Sequence, residues 1–483
     1  MDPTCLTEPT FTCAGCGAMM PAADGGHAPF ACSAARPGDD IDHVVRRHFD
    51  PAGRSFPPSE EANPFVRYRA LSSAHQLALA RGLTDEQFVG IVRELDASVA
   101  TVDGAGFRAT PFAPAPALSR QLGCADDGMV WVKDETANVS GSHKARHLMG
   151  VMLYLQVLQR VTGTTDRSTL AIASCGNAAL AAGVVARAAG WPLEVFVPPS
   201  ADAAVVARLI ALEAQIHLAH RRDGVAGDPC YLSFRESLSA GALPFCCQGS
   251  DNGLTIEGGE TVAWEMISSL QQSPDINWQS QRRPIDAVFV QVGGGALASS
   301  LVQGFVDAYR LGAVTWLPRF YTVQTSGGYP LKRAYDGVAE RILERVPLVV
   351  EQGFSPAADR ERADLMAAHP SIIDEELQHA RTHRSAFMRP WEKEPHSIAH
   401  GILDDETYDW AAVVEGMLRS GGWPLVVGED RLLEANIAAH QGTGIDVDHT
   451  GSAGLAGLMK AIGIDTRLAG ERVAVIFSGR TRS

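Results

Sequence analysis

The 483-residue sequence has no excess of positive charge, no long unbroken apolar run, no internal repeat and no low-complexity tract. Each absence removes a class of protein. A formal net charge of −15 disfavours nonspecific attraction to nucleic acid or anionic membranes and favours solubility. The longest charge-free run of note, residues 169–186, contains Ser174, Gly176, Asn177 and Gly183, so it reads as strand, loop and helix rather than as a membrane span. The start, Met1-Asp2-Pro3-Thr4, has neither a cationic segment nor an apolar core before a cleavage site, so no secretory signal is expected and a cytoplasmic location is. Nine cysteines spread along so long a chain do not make the dense pattern of a secreted disulfide scaffold, and in a reducing compartment they are expected to be free, catalytic or metal-bound.

What remains, 46% hydrophobic and 20% charged residues, is ordinary for a globular chain of two or three domains. Residues 1–60 stand apart: they are rich in Cys, Pro, Gly and His and lack a long amphipathic repeat. In this small module Cys13-x2-Cys16-Gly17 forms a knuckle able to offer two thiolates to one zinc, with Cys32 as a third ligand and His43 the first choice for the fourth, ahead of Cys5 and His27. No second CxxC is present, so free thiols are the alternative; a zinc held by four protein ligands would be structural. From Asn63 to Val99 the apolar spacing is helical, with Thr84 and Gln87 placed to cap a helix start. Strand-like Met129–Val132 then leads to the turn Asn138-Val139-Ser140-Gly141-Ser142-His143-Lys144, followed by a helical period over Ala145–Arg160.

Beyond it strands alternate with helices. The strands are Thr169–Ala173, Leu193–Val197, Gln215–Ala219 and Pro244–Cys247, with helices over Asp202–Leu212 and through the 230s. This alternation implies right-handed crossovers and one open parallel α/β domain over about 145–250. A second α/β series follows, with a helix over Thr255–Leu270 and strands Ala287–Val292, Arg319–Gln324, Pro424–Val427 and Val473–Phe477. Residues 330–420 mix Pro and charge and are the least readable.

Four stretches carry chemistry. A lysine behind small polar residues and a glycine, as Lys144 is, can be held out of bulk water with its ammonium pKa lowered, as a Schiff-base nucleophile requires; the alternative is a solvated surface lysine. Gly293-Gly294-Gly295-Ala296-Leu297 follows a buried strand and opens a helix, where backbone N–H groups can close on an anion. Its spacing is neither the GxGxxG fingerprint nor a Walker loop, and a tight turn that permits close packing is the other reading. Ser174-Cys175-Gly176-Asn177 ends one strand and Ser478 another. A Schiff-base lysine, a phosphate cradle, a small polar loop and a strand-end serine are together what pyridoxal phosphate needs.

With these motifs in order from residue 105 to the end, the sequence resembles the fold-type II pyridoxal-phosphate enzymes, the tryptophan synthase β family that includes threonine synthase, serine and threonine dehydratases and cysteine synthase. The resemblance implies two open parallel-sheet α/β domains plus the small cysteine-containing module: a large cofactor-binding domain from 61–144 and 251–483, and a smaller one from 145–250. It implies Lys144 as the Schiff-base amine and Asn177 on the cofactor's 3-hydroxyl. Gly293, Gly294, Gly295, Ala296 and Leu297 would hold the phosphate, Ser478 would face the pyridine nitrogen, and Ser174, Cys175 and Gly176 would grip a substrate carboxylate. Thr110-Pro111 and Leu118-Ser119 match the family's opening segment. His143 departs from the Phe of dehydratases and resembles the tryptophan synthase branch; Ser478-Gly479-Arg480-Thr481 departs from Ser-Gly-Gly-Asn. Asp448-His449-Thr450-Gly451 has His and Thr where threonine synthases and dehydratases have Pro and Ala.

A neutral serine at the ring nitrogen discourages full carbanion delocalisation, so Cα proton removal by Lys144 is expected to be coupled to loss of a β-substituent. The first expectation is a lyase acting on L-threonine or L-serine, since Ser397-Ile398-Ala399-His400-Gly401 resembles the dehydratase Thr-Ile-Ala-Asp-Gly. The second is a threonine-synthase-like enzyme acting on phosphohomoserine, from Thr255-Ile256-Glu257-Gly258-Gly259-Glu260-Thr261 and the cysteine knuckle; β-replacement is third. A catalytically silent metabolite sensor is the alternative outside enzymes. The expected partners are a small amino acid and a second copy in a homodimer, with no nucleic acid and no membrane.

Overall fold

The computed structural model describes residues 7–481 except 25, 59, 126–127, 166, 222–226, 275, 277–281, 348–357 and 393; the reserve ligand Cys5 lies outside them. Its strands are β1 (Thr10–Cys13), β2 (Met19–Pro21), β3 (Val45–Arg47), β4 (Phe112–Pro114), β5 (Met129–Asp134), β6 (Leu170–Ala173), β7 (Leu193–Val197), β8 (Gln215–Leu218), β9 (Leu243–Pro244), β10 (Ala287–Gln291), β11 (Arg319–Thr325), β12 (Pro424–Val427) and β13 (Arg472–Phe477). The chain divides into two units, one of Met1–Ala35, His43–Ala109 and Ala137–Val262, the other of Arg36–Asp42, Thr110–Thr136 and Ala263–Ser483.

In the first unit β1, β2 and β3 pair antiparallel in the order β2-β1-β3. The helical stretch after Asn63 is three helices, Pro64–Arg67, Ser73–Ala80 and Asp85–Asp103, because Asn63 and Ser72 each turn a side-chain oxygen onto the N–H groups of a new start. At the third, Gln87 N–H donates to Thr84 Oγ1 (3.2 Å) and Thr84 N–H to Gln87 Oε1 (2.7 Å), the capping box its sequence predicts. The helix Lys144–Thr162 is the core of the unit, with Ala145, Leu148, Met149, Val151, Met152 and Val157 all fully buried. A parallel sheet in the order β8-β7-β6-β9 completes it. The strand expected over Pro244–Cys247 pairs only at Leu243–Pro244, because the Asn252 amide takes the Pro244 and Cys246 carbonyls (2.9 and 3.4 Å) and turns the chain out of the sheet.

The second unit is built on a six-stranded sheet in the order β12-β11-β10-β13-β5-β4, parallel except for β4. Its inner strands are nearly continuous apolar runs, as strands covered on both faces require. Register places Phe477 beside Asp134 and Phe289 beside Val475, so the carboxyl ends of β10, β13 and β5 lie side by side. The unreadable interval folds into helices Pro330–Leu343, Asp359–Ala367, Pro370–Thr382, Arg384–Phe387 and Trp410–Ser420. Among the described residues no helix is long and apolar enough to cross a membrane.

Candidate active site and metal centre

In the first unit the turn before Lys144 is held in an uncommon backbone. Ser140 (φ 58°) and Gly141 (φ 77°) are both left-handed, a conformation costly for a serine, and are kept there by Ser140 N–H on Asp103 Oδ2 (2.8 Å) and by the Asn138 amide on the Ser142 carbonyl (2.9 Å). Lys144 is half-buried at the helix start. Among the described residues its Nζ carries no hydrogen bond or ion pair. Its neighbours His143 and His147 are buried and stack edge-on, with ring centroids 5.5 Å apart. Burial, then the Lys144 charge, holds His143 well below its ordinary value, and the same two causes bring His147 to about 3. His147 is therefore neutral, and its Nδ1–H donates to the Thr255 carbonyl (2.7 Å). The helix Asn177–Ala189 packs on both the Val139–Gly141 turn and the Lys144 helix. Its N-cap, Gly176, supplies no side-chain acceptor, and the loop Ser174-Cys175-Gly176, of which Cys175 is exposed, leads directly into it.

In the second unit the glycine turn leaves β10 into the helix Ala296–Arg310, whose N-cap Gly295 (φ 97°) also has no side chain to satisfy the first N–H groups. All three glycines are needed for packing as well. A Cβ at Gly293 would meet Asp404 Oδ2 at 2.4 Å, at Gly294 the Tyr408 ring at 2.9 Å and at Gly295 the Thr407 methyl at 2.9 Å, while Thr407 Oγ1 donates to the Gly293 carbonyl (2.9 Å). Segment 404–409 is thus a cover on the turn that sequence reading missed; nothing in a single sequence links residues more than a hundred apart. Ser478 is buried one residue past β13, with the Gly451 backbone against it: a Cβ there would lie 2.5 Å from the Ser478 carbonyl. Thr450, where related motifs have Ala, accepts the Gly401 N–H (3.0 Å), which joins two stretches singled out in the sequence.

The second unit holds a buried lysine of its own. Lys133 Nζ is fully buried, donates to Glu265 Oε2 (2.5 Å) and to the Thr110 carbonyl (2.8 Å), and lies 3.6 Å from Glu135. That amine is committed to two carboxylates.

Cys13, Cys16, Cys32 and His43 come together with all four ligand atoms within 4.8 Å of one another. Cys13 Sγ to His43 Nδ1 is 3.4 Å and Cys16 Sγ to Cys32 Sγ 3.6 Å. Tetrahedral zinc with bonds of about 2.3 Å to sulfur and 2.0–2.1 Å to nitrogen separates its ligand atoms by roughly 3.5–3.8 Å. The Cys16 and Ala34 N–H groups donate to Cys13 Sγ (3.5 Å) and Cys32 Sγ (3.4 Å), as the thiolates of a metal knuckle accept. Burial pushes the metal-free Cys13 thiol up to about 12.

The family model described as pyridoxal-phosphate dependent enzyme matches residues 105–388. The chain belongs to that family. Its fold is that of the fold-type II members: the processed form of threonine deaminase isoform 2 from Solanum lycopersicum superposes with a TM-score of 0.52 over 83% of this chain and 86% of that one, at 16% identity. Among curated proteins, threonine synthase of Mycobacterium tuberculosis (strain ATCC 25618 / H37Rv) is 24% identical over 355 residues, 73% of this chain and 76% of that protein. A serine dehydratase-like protein of Rattus norvegicus is 28% identical over 204 residues, 41% of this chain and 53% of its own length. The residues present in each unit fit the cofactor of that family: in the first, among the described residues, an amine without a partner and a helix start whose N-cap has no side-chain acceptor, and in the second another such helix start, of the kind that takes an anion.

Proposed function

We propose that this enzyme is a lyase that takes a hydroxy amino acid, L-threonine or L-serine, to a 2-keto acid and ammonia. Pyridoxal phosphate, when bound, supplies an electron-withdrawing ring that acidifies the substrate's Cα–H. Lys144 Nζ would be the amine that holds the cofactor and the base placed to take the Cα proton. Backbone N–H groups of Gly293, Gly294, Gly295, Ala296 and Leu297 would hold the phosphate, Asn177 the 3-hydroxyl, and Ser174, Cys175 and Gly176 the substrate carboxylate. The observation that carries the lyase reading is Ser478, a buried neutral hydroxyl at the end of the strand adjacent to that of the glycine turn. A carboxylate in that place would keep the ring nitrogen protonated, whereas a hydroxyl would not; loss of the Cα proton to Lys144 would then be coupled to departure of the β-hydroxyl as water, the lysine returning that proton to the leaving oxygen.

A second reading, a threonine-synthase-like enzyme acting on phosphohomoserine, draws support from the threonine synthases that match about three-quarters of the chain. The assay that separates the two offers L-threonine, L-serine and phosphohomoserine in turn. The lyase reading expects equal amounts of keto acid and ammonia from the first or second. Keto acid from neither, with threonine from the third, would replace it by the second reading.

We also propose that Cys13, Cys16, Cys32 and His43 hold one structural zinc, since four protein ligands leave no open position for chemistry, and that the enzyme works as a cytosolic homodimer.

A further inference from the structure

We propose that the Cys13-Cys16-Cys32-His43 centre, once metallated, fastens the Lys144 helix to the start of the helix Thr255–Gln272, with Arg47 as the positioning residue; this rests on the metal reading above. Three attachments leave the small module two residues from a ligand. Two residues before Cys13, Phe11 meets Tyr154 of the Lys144 helix edge-on at 6.1 Å, and the Tyr154 hydroxyl donates to the Ala22 carbonyl (2.6 Å). Two residues before Cys32, the Phe30 carbonyl accepts the Gly253 N–H (2.8 Å). Two residues after His43, Val45 fills the space at Gly253, where a Cβ would stand 2.6 Å from it.

Arg47 completes the grip. Its side chain, 8% exposed, donates to Glu260 Oε2 (2.5 Å) and to the Leu71 carbonyl (2.6 Å), stands 3.6 Å from Glu257 and lies over the Phe49 ring. Both glutamates belong to the first turns of the Thr255 helix. That helix touches the Lys144 helix backbone to backbone: a Cβ on Gly258 would sit 2.1 Å from the Arg146 carbonyl, and one on Gly150 would sit 2.9 Å from Gly258. Arg146 Nη1 donates to Thr261 Oγ1 (3.1 Å), and the His147 bond to Thr255 adds a second tie. Arg146 and His147 follow Lys144 by two and three residues, so moving the Thr255 helix start moves the backbone that carries the amine.

Metal is needed because the module cannot hold itself. Strands of four, three and three residues bury too little to be stable alone, and in such modules the free energy of metal binding is folding free energy. The ligand class is a thiophilic divalent cation, zinc first.

The test uses the full-length protein without cofactor or substrate, so its outcome does not depend on the lyase reading. Zinc is measured by elemental analysis, and amide exchange is followed by mass spectrometry before and after chelation, and in Arg47→Met. We expect about one zinc per chain. Chelation should speed exchange about tenfold at residues 146–154 and 255–262 and leave the helix Ala203–Ala211 unchanged. Arg47→Met should keep its zinc and still speed 255–262. Exchange unchanged after chelation, exchange raised equally in Ala203–Ala211, or Arg47→Met identical to the parent overturns the coupling alone. A protein that binds no zinc overturns the metal reading and this inference together.

Discussion

At the residue, the pair His143 and His147 sets how the Lys144 helix responds to acid. Both stay neutral in the folded chain, because burial and the Lys144 charge hold them below their ordinary value of 6.5, His147 down to about 3. The unfolded chain takes up protons at these histidines as pH falls through 6.5, while the folded chain does not. Stability is therefore full above that pH and declines as pH drops below 6.5, for His147 down toward 3 at up to about 1.4 kcal/mol per pH unit. His147→Gln keeps a donor for the Thr255 carbonyl and removes one titration. The slope of unfolding free energy against pH between 6 and 4.5 is expected to shrink by about one proton; an unchanged slope would show that His147 is charged in the fold. Lysine chemistry divides at this scale too: Lys133 is locked between Glu265 and Glu135, while Lys144, behind a strained turn, has no partner for its amine among the described residues.

At the element, the close crossing of the Lys144 and Thr255 helices depends on glycine. Gly258→Ala drives a methyl into the Arg146 carbonyl, a backbone atom that cannot swing aside, and is expected to cost about 1–3 kcal/mol in denaturant unfolding. Gly90→Ala, inside the helix Asp85–Asp103 with nothing within 4 Å of the added methyl, is expected to stabilise by about 0.5–1 kcal/mol. Equal effects from the two would remove the crossing as a constraint. Elements of this kind were readable where local rules suffice. Leu193–Val197 and Pro424–Val427 are short apolar runs whose strand limits match the sequence reading to the residue, and Thr84 announces its capping box. The helical stretch after Asn63 hid one further break, before Ser73, because apolar spacing survives a change of axis and only the Ser72 cap reveals it. The strand at Pro244 was overestimated because Asn252, which ends it, comes later in the chain.

At the whole molecule, the sequence carries the order of the parts but not their pairing. Positions at strand ends and strand-to-helix turns made Lys144, the glycine turn and Ser478 conspicuous, and the Cys13 knuckle with Cys32 and His43 pointed to four side chains that do come together. The contacts that span more than a hundred residues, Arg47 with Glu257 and Glu260, Lys133 with Glu265, and Thr407 over Gly293, leave no local periodicity to detect. They follow from topology, which brings β5, β10 and β13 side by side from distant parts of the chain. The account as a whole rests on which lysine bonds the cofactor. The direct measurement is to load the purified protein with pyridoxal phosphate, reduce it with borohydride and map the modified peptide by mass spectrometry. One phosphopyridoxyl group on Lys144, lost in Lys144→Ala, is the predicted result; modification at Lys133 or any other lysine, or none at all, would contradict it.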